Sequence, residues 1–221
     1  MIPIEQYLDN LIKALRTRFE DRLLYIGLQG SYLRGEATED SDVDVMVVID
    51  GLNVADLEAY RECICSLAHA DKSCGFICSK DDLAHWNPME LCHVLHTTKD
   101  CYGVLKDLLP PFTRQDIRNF VKMGLNNLYH EICHRYIHGD PDHNTARLTG
   151  SYKGVFFILQ NLYYLRLGQF AETKAKLLQL CAGQDRAVLQ RSMDLNNGIS
   201  HDFADSFTLL FTWCQNTLHS L

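Results

Sequence analysis

The chain has 221 residues, of which 47% are hydrophobic and 22% charged. That composition is enough to bury a sizeable core in one or two domains, and it excludes an extensively disordered chain. No apolar run is long enough to cross a bilayer, and the opening MIPIEQYLDNLIKAL carries acids within an amphipathic pattern, so neither a membrane span nor a signal peptide is expected. The formal net charge of −7 is divided unevenly: residues 1–110 carry 10 Lys plus Arg against 19 Asp plus Glu, and residues 111–221 carry 11 against 9. This balance argues against DNA or RNA as a partner, because affinity for a polyanion depends on neutralising its phosphates. The acidity of the first half either keeps the protein soluble or favours a cationic acceptor. Nine cysteines, an odd number without a secretion signal, are expected as reduced and mainly buried thiols in the cytoplasm.

In chain order, Ile4 to Arg18 repeats apolar residues at helical spacing (Ile4, Leu8, Leu11, Ile12, Leu15) and predicts a helix packed on the sheet that follows. Leu23 to Leu28 is a short apolar run of the kind that forms a buried strand, and it delivers the chain to Gly30. With no side chain at Gly30, backbone N–H groups there and at Ser31 can approach a triphosphate, the Ser31 hydroxyl adds a donor, and Arg34 can supply a planar charged fork. Asp42 to Ile49 has the β-branched content of a central strand, and its period of two points Asp42 and Asp44 to one face. Hard divalent cations take oxygen ligands together with substrate phosphates, so two carboxylates beside a phosphate-gripping turn are the minimum for metal-assisted phosphoryl chemistry.

The stretch Gly30 to Asp44, GSYLRGEATEDSDVD, resembles the signature of the DNA polymerase β-like nucleotidyltransferase superfamily. With Arg34-Gly35 and Ser41 it is most similar to the antibiotic nucleotidyltransferases that act on aminoglycosides and lincosamides. The resemblance implies an α/β (α+β) fold, a mixed sheet with flanking helices followed by a C-terminal helical bundle. It also implies transfer of a nucleoside monophosphate, usually AMP from ATP, to a hydroxyl with release of pyrophosphate, and a requirement for magnesium, with two ions. Gly30 and Ser31 would hold the terminal phosphates, and Asp42 and Asp44 would ligate the metals. The family commonly has a third carboxylate on a later strand. Here that strand is Ser73 to Cys78, which contains no acid; Asp71 lies just before it as a candidate third ligand, and Asp81-Asp82 just after.

Val54 to Ala70 predicts a second helix, and Asp81 to Trp86 a short one. The double proline at Leu109-Pro110-Pro111-Phe112 favours an extended link, which divides the chain into a nucleotidyltransferase domain, 1–110, and a helical, acceptor-binding domain, 111–221. Thr113 with Asp116 reads as a capping box opening a helix to His138. Arg147–Leu167, Ala171–Cys181, Asp185–Asn196 and Phe203–His219 continue the helical pattern, with breaks at Gly139-Asp140-Pro141-Asp142 and Leu167-Gly168.

His130-Glu131-Ile132-Cys133-His134 matches HExxH, so a zinc hydrolase is a competing reading, although the chain lacks the longer continuation and a clear third ligand. His130, His134 and His138 recur every four residues, opposite an apolar stripe of Ile117, Val121, Leu125, Leu128, Ile132 and Tyr136. Within the transferase reading, Glu131 is the candidate base toward the acceptor, as a helix-borne glutamate is in kanamycin nucleotidyltransferase, with a surface ion pair to Arg135 as the alternative. His134 and Arg135 are further candidates for phosphate contact. Lys153 either reaches triphosphate oxygens or snorkels to solvent, while Lys174 and Lys176 read as a solvated face. Cys74 with Cys78, and Cys92-His93 with His96, lack the spacing of a structural zinc site and read as core or satisfied polar positions.

The expected function is therefore a magnesium-dependent, adenylyltransferase-like enzyme taking a nucleoside triphosphate and a small-molecule hydroxyl acceptor, as a monomer or homodimer without nucleic acid or membrane. The alternative is a catalytically weak, antitoxin-like regulatory nucleotide binder.

Overall fold

The computed structural model describes residues 2–140 and 144–221, and the chain divides into two compact units, Met1–Pro111 and Phe112–Leu221. In the first unit the elements run α1 (Ile4–Phe19), β1 (Leu23–Leu28), α2 (Gly30–Arg34), β2 (Val43–Ile49), α3 (Val54–Cys65), β3 (Ser73–Cys78), α4 (Lys80–Ala84), α5 (Pro88–His96) and β4 (Lys99–Tyr102). The sheet order is β3-β2-β1-β4, with β1 antiparallel to both β2 and β4 and β2 parallel to β3. This is the mixed sheet with flanking helices expected from the sequence.

The apolar spacing of α1 buries Leu8, Leu11 and Leu15, with Tyr7 and Phe19, against Val43, Val45, Val47 and Ile49 of β2. The alternate β2 residues, Met46 and Val48, pack on the opposite face with Tyr25, Leu83 and Leu105. Period-two alternation therefore assigns Asp44 to the face of Met46 and Val48. Helix starts follow side-chain caps that satisfy orphan N–H groups: Asn53 with Asp56, Ser79 with Asp82, and Asn87 before Pro88. Asp56 also receives both terminal nitrogens of Arg22, at 3.0 and 2.6 Å, and this hydrogen-bonded guanidinium is the main reason its carboxyl titrates below the ordinary range.

Boundaries depart from expectation in places. Helix α3 stops at Cys65, not Ala70: Ser66 turns its hydroxyl back to the Cys63 carbonyl, and His69 adopts a left-handed conformation at φ 63° before a 3-10 turn, Ala70–Lys72. The short helix expected over 81–86 is α4, and the polar segment Lys99–Tyr102 forms a strand because β1 offers it a free edge, pairing Ile26 with Tyr102.

The second unit contains α6 (Arg114–His138), α7 (Asn144–Leu167), α8 (Lys174–Leu180), α9 (Gly183–Asn196) and α10 (Phe203–Ser220). Thr113 and Asp116 form the expected capping box. The Pro141-Asp142 part of the predicted break lies outside the described residues. The core joins Val121, Leu125 and Ile132 of α6 with Tyr152, Phe156 and Leu159 of α7, Val188 and Leu189 of α9, and Trp213 of α10. Asp185 ties three helices together, accepting from Trp213 Nε1 at 2.7 Å, Arg166 at 2.8 Å and the Tyr163 hydroxyl at 3.2 Å. Tyr136, expected on the apolar stripe, is 55% exposed; its ring instead stacks on Phe207 with centroids 4.3 Å apart.

All nine cysteines are free of disulfides. Cys78, Cys92, Cys181 and Cys214 are buried, and burial pushes their thiols up to about 11, 12, 11 and 12. Cys65 and Cys74 are exposed, so the expectation of mainly buried thiols holds for fewer than half of them. No helix among the described residues is long and apolar enough to cross a membrane.

Candidate active site

The antiparallel pair β1–β2 registers Leu28 opposite Val45, and one step further the Gln29 N–H donates to the Asp44 carbonyl at 2.8 Å. The next residue, Gly30, is thereby held against the Asp44 side chain. Its φ of +68° is a left-handed conformation, and a Cβ built there would overlap Asp44 Oδ2 and lie 2.8 Å from Asp44 Cγ. Glycine is thus required twice over, once by backbone conformation and once by the carboxylate it faces.

Instead of a simple turn, Gly30–Arg34 forms one turn of helix whose end is closed by the Glu36 N–H donating to the Ser31 carbonyl at 2.9 Å. The first N–H groups of such a turn lack intrahelical acceptors. Ser31 is half-buried on it. Arg34 is half-buried too, with Nε donating to the Glu36 carboxylate at 3.0 Å, so one edge of its fork is already engaged. Asp42 stands exposed immediately before β2, and Asp44 is half-buried on the strand.

The parallel register pairs Asp44 with Cys74 on β3. Cys74, read from the sequence as a core or satisfied polar position, is exposed because β3 is an edge strand, and its thiol lies close enough to the Asp44 carboxylate to feel it. Partial burial raises its titration above the usual thiol range, and the Asp44 and Asp42 charges add to that. Sequence reading missed this neighbour; pairing the two strands residue by residue in parallel is the signal that finds it.

Asp71 does not complete the pair. It is exposed in the 3-10 turn ahead of β3, outside the stretch of β3 that is in register with β2, and among the described residues no three His, Cys, Asp or Glu side chains form a group that could hold a metal ion. The donor set is therefore two carboxylates, which suits a magnesium ion completed by substrate phosphates and water better than an all-protein cage. Any side chain at Gly30 would overlap Asp44 Oδ2, so glycine there leaves that oxygen its room.

Gln29 is a second missed participant: its side chain donates to the Thr98 hydroxyl at 2.7 Å while its backbone fixes Asp44. His93, on α5, lies close enough to Arg34 and His96 to feel their charge. Burial first, then His96 and Arg34, depress its titration to about 4. A folded-state value below the ordinary histidine value means that stability is complete above about 6.5 and declines as pH falls toward 4. Melting temperatures followed from pH 7 to pH 4 should fall, and His93→Asn should flatten that part of the profile; an unchanged profile would contradict the assignment.

In the second unit, Glu131 forms the ion pair with Arg135, at 2.9 Å, and accepts from the Ser151 hydroxyl at 2.6 Å. Arg135 also donates to the Arg147 carbonyl at 3.1 Å. His130 and His134, exposed, have ring centroids 6.0 Å apart. With Glu131 engaged and no three-residue metal group among the described residues, the HExxH segment does not assemble a zinc hydrolase site. Lys153 is exposed. Lys176 is solvated and paired with Glu172, but Lys174 departs from a solvated face: it is half-buried, its ammonium 5.9 Å from the centre of the Phe156 ring.

The nucleotidyltransferase domain family matches residues 8–68. Over 68 residues, 29% of this chain and 67% of the relative, the chain is 46% identical to protein adenylyltransferase MntA of Thermococcus cleftensis. The chain belongs to the nucleotidyltransferase family. MJ1379 of Methanocaldococcus jannaschii is 39% identical over 61 residues, 28% of this chain and 59% of its own. The chain thus spans about three fifths to two thirds of the length of these curated relatives. Among solved structures, spectinomycin adenyltransferase AAD(9) from Enterococcus faecialis, crystallised with ATP and spectinomycin, superposes with a TM-score of 0.59 and 16% identity over 97% of this chain and 99% of that one. That likeness shows a shared fold. The family's matched interval runs from α1 through α3, so it contains Gly30, Ser31, Asp42 and Asp44 and ends before β3.

Proposed function

We propose that this nucleotidyltransferase moves AMP from ATP to a hydroxyl group of a small-molecule acceptor and releases pyrophosphate. The observation that carries the reading is the contact between Gly30, at positive φ, and the Asp44 carboxylate, inside the interval the family matches. Asp42 and Asp44 would hold magnesium, with two ions the expected complement. When bound, the metal neutralises triphosphate charge and assists departure of pyrophosphate. Gly30 permits close approach of the terminal phosphates, Ser31 donates its hydroxyl, and Arg34 and Lys153 are candidate phosphate contacts. In the reaction a bond forms between the acceptor oxygen and the α-phosphorus as the bond to the pyrophosphate oxygen breaks. The hydroxyl proton must pass to a base; Glu131 is the candidate, and serving as one requires release from Arg135 and Ser151.

A second reading has a protein hydroxyl as acceptor, favoured by the 46% identity to a protein adenylyltransferase over 68 residues. A third, nucleotide binding with little turnover, is favoured by Cys74 standing where an acid beside Asp44 would strengthen the metal site. One experiment separates them. Pyrophosphate release is measured from each of the four triphosphates with magnesium, against a panel of aminoglycosides, aminocyclitols and lincosamides, and against partner proteins probed for a gain of one AMP in mass. Release that depends on a small molecule supports the first reading, and AMP on protein alone replaces it with the second. Magnesium-dependent nucleotide binding without release from any acceptor supports the third.

A further inference from the structure

The HExxH segment of α6 belongs to a row of histidines to which the proposed transfer, as written above, gives no role. His130, His134 and His138 are exposed and follow one another at single-turn intervals, so their rings lie along one stripe. The His134 and His138 rings have centroids 5.0 Å apart with planes tilted by 53°, whereas His130 and His134 are 6.0 Å apart.

Two imidazoles sharing an ion impose a distance. A metal–nitrogen bond of about 2.0–2.1 Å, added to roughly 1.1 Å from ring nitrogen to ring centre, places each centre about 3.2 Å from the metal. At a cis angle of roughly 90–110°, the two centres are then about 4.5–5.2 Å apart. The His134–His138 pair falls inside that interval and the His130–His134 pair falls outside it. We propose that His134 and His138 form a two-imidazole site for a late first-row transition metal ion on the exposed side of α6, with water filling the remaining positions.

Imidazole suits copper, nickel and zinc, in the affinity order Cu2+ above Ni2+ and Zn2+. The neighbouring Arg135 charge is offset by its ion pair with Glu131, which reduces its opposition to a metal on that face. The site uses the second histidine of the HExxH segment together with one outside it, and it spans the last turn of α6, where the Gly139 N–H closes on the Arg135 carbonyl at 2.8 Å. A bound ion therefore clamps the end of the helix and raises the melting temperature, since it binds the folded arrangement and not the open chain.

The test uses untagged full-length chain stripped with chelator and titrated with Ni2+, which does not oxidise the exposed thiols of Cys65 and Cys74, by calorimetry and by thermal melts. His134→Ala and His138→Ala should each weaken Ni2+ binding at least tenfold and remove the Ni2+-dependent rise in melting temperature. His130→Ala and Asp42→Asn/Asp44→Asn should stay within about threefold of the parent. All four substituted chains should melt at the parent temperature without metal, because the side chains involved are at most half-buried and make few contacts. Equal affinity in the parent, His134→Ala and His138→Ala overturns the proposal. So does a loss with His130→Ala as large as with His138→Ala, or a loss confined to the aspartate variant.

Discussion

Asparagine at Asp42 or Asp44 is expected to lower acceptor-dependent pyrophosphate release by roughly 10²–10³-fold, the usual effect of removing one fixed electrostatic partner from a charge-developing centre. The substitution preserves size and removes only the charge. In the fold, Asp44 is anchored through its backbone carbonyl, which accepts from Gln29, and its side chain meets Gly30 and faces its strand partner Cys74, none of which requires an ionised carboxylate. Asp42 is exposed ahead of the strand. Stability should therefore be unchanged while magnesium-dependent nucleotide binding and turnover collapse together. A variant retaining more than about a tenth of the parent rate under saturating magnesium would remove Asp42 and Asp44 from the chemistry.

Gly30→Ala should injure both stability and activity, and Gly35→Ala separates the two effects. Both glycines sit at φ +68°, so an L side chain at either should cost about 1–2 kcal/mol of backbone strain. At Gly35 a new Cβ meets nothing within 4 Å; at Gly30 it drives into the Asp44 carboxylate. Urea denaturation should then show a loss for both variants, the larger one for Gly30→Ala, where the clash adds to the shared backbone strain. Pyrophosphate release should fall at least tenfold for Gly30→Ala and stay near the parent rate for Gly35→Ala. Equal activity in both would mean that the contact between Gly30 and Asp44 does not matter to the reaction.

How much of this was legible beforehand depended on whether a feature is local. The apolar run Leu23–Leu28, the alternation through Val43–Ile49 and the capping residues at Thr113 and Asp116 are encoded within a few residues, and each forms the predicted element. Strand β4 is polar along Lys99–Asp100, so no apolar run announces it; it exists because β1 has an edge to pair with. Cys74 read as a core or satisfied polar position, and its place at the sheet edge rules out the core. Helix α3 ends early without proline or glycine, through the Ser66 hydroxyl and the left-handed His69. In the candidate site, the Gly30–Asp44 contact was foreshadowed by a glycine preceding paired aspartates. Gln29, Cys74 and His93 join it through pairing and packing between segments far apart in sequence, which no local pattern carries.

The cysteines give the chain built-in reporters of its own opening. Cys78 and Cys92 lie in the first unit and Cys181 and Cys214 in the second, all occluded and all with thiols held protonated far above neutral pH. Alkylation needs an accessible thiolate, so each of these sulfurs reacts only when its surroundings part. Labelling rates resolved by peptide mass therefore follow the fluctuation of each half independently, without a dye or an introduced residue, and would reveal whether nucleotide tightens one unit while leaving the other to breathe.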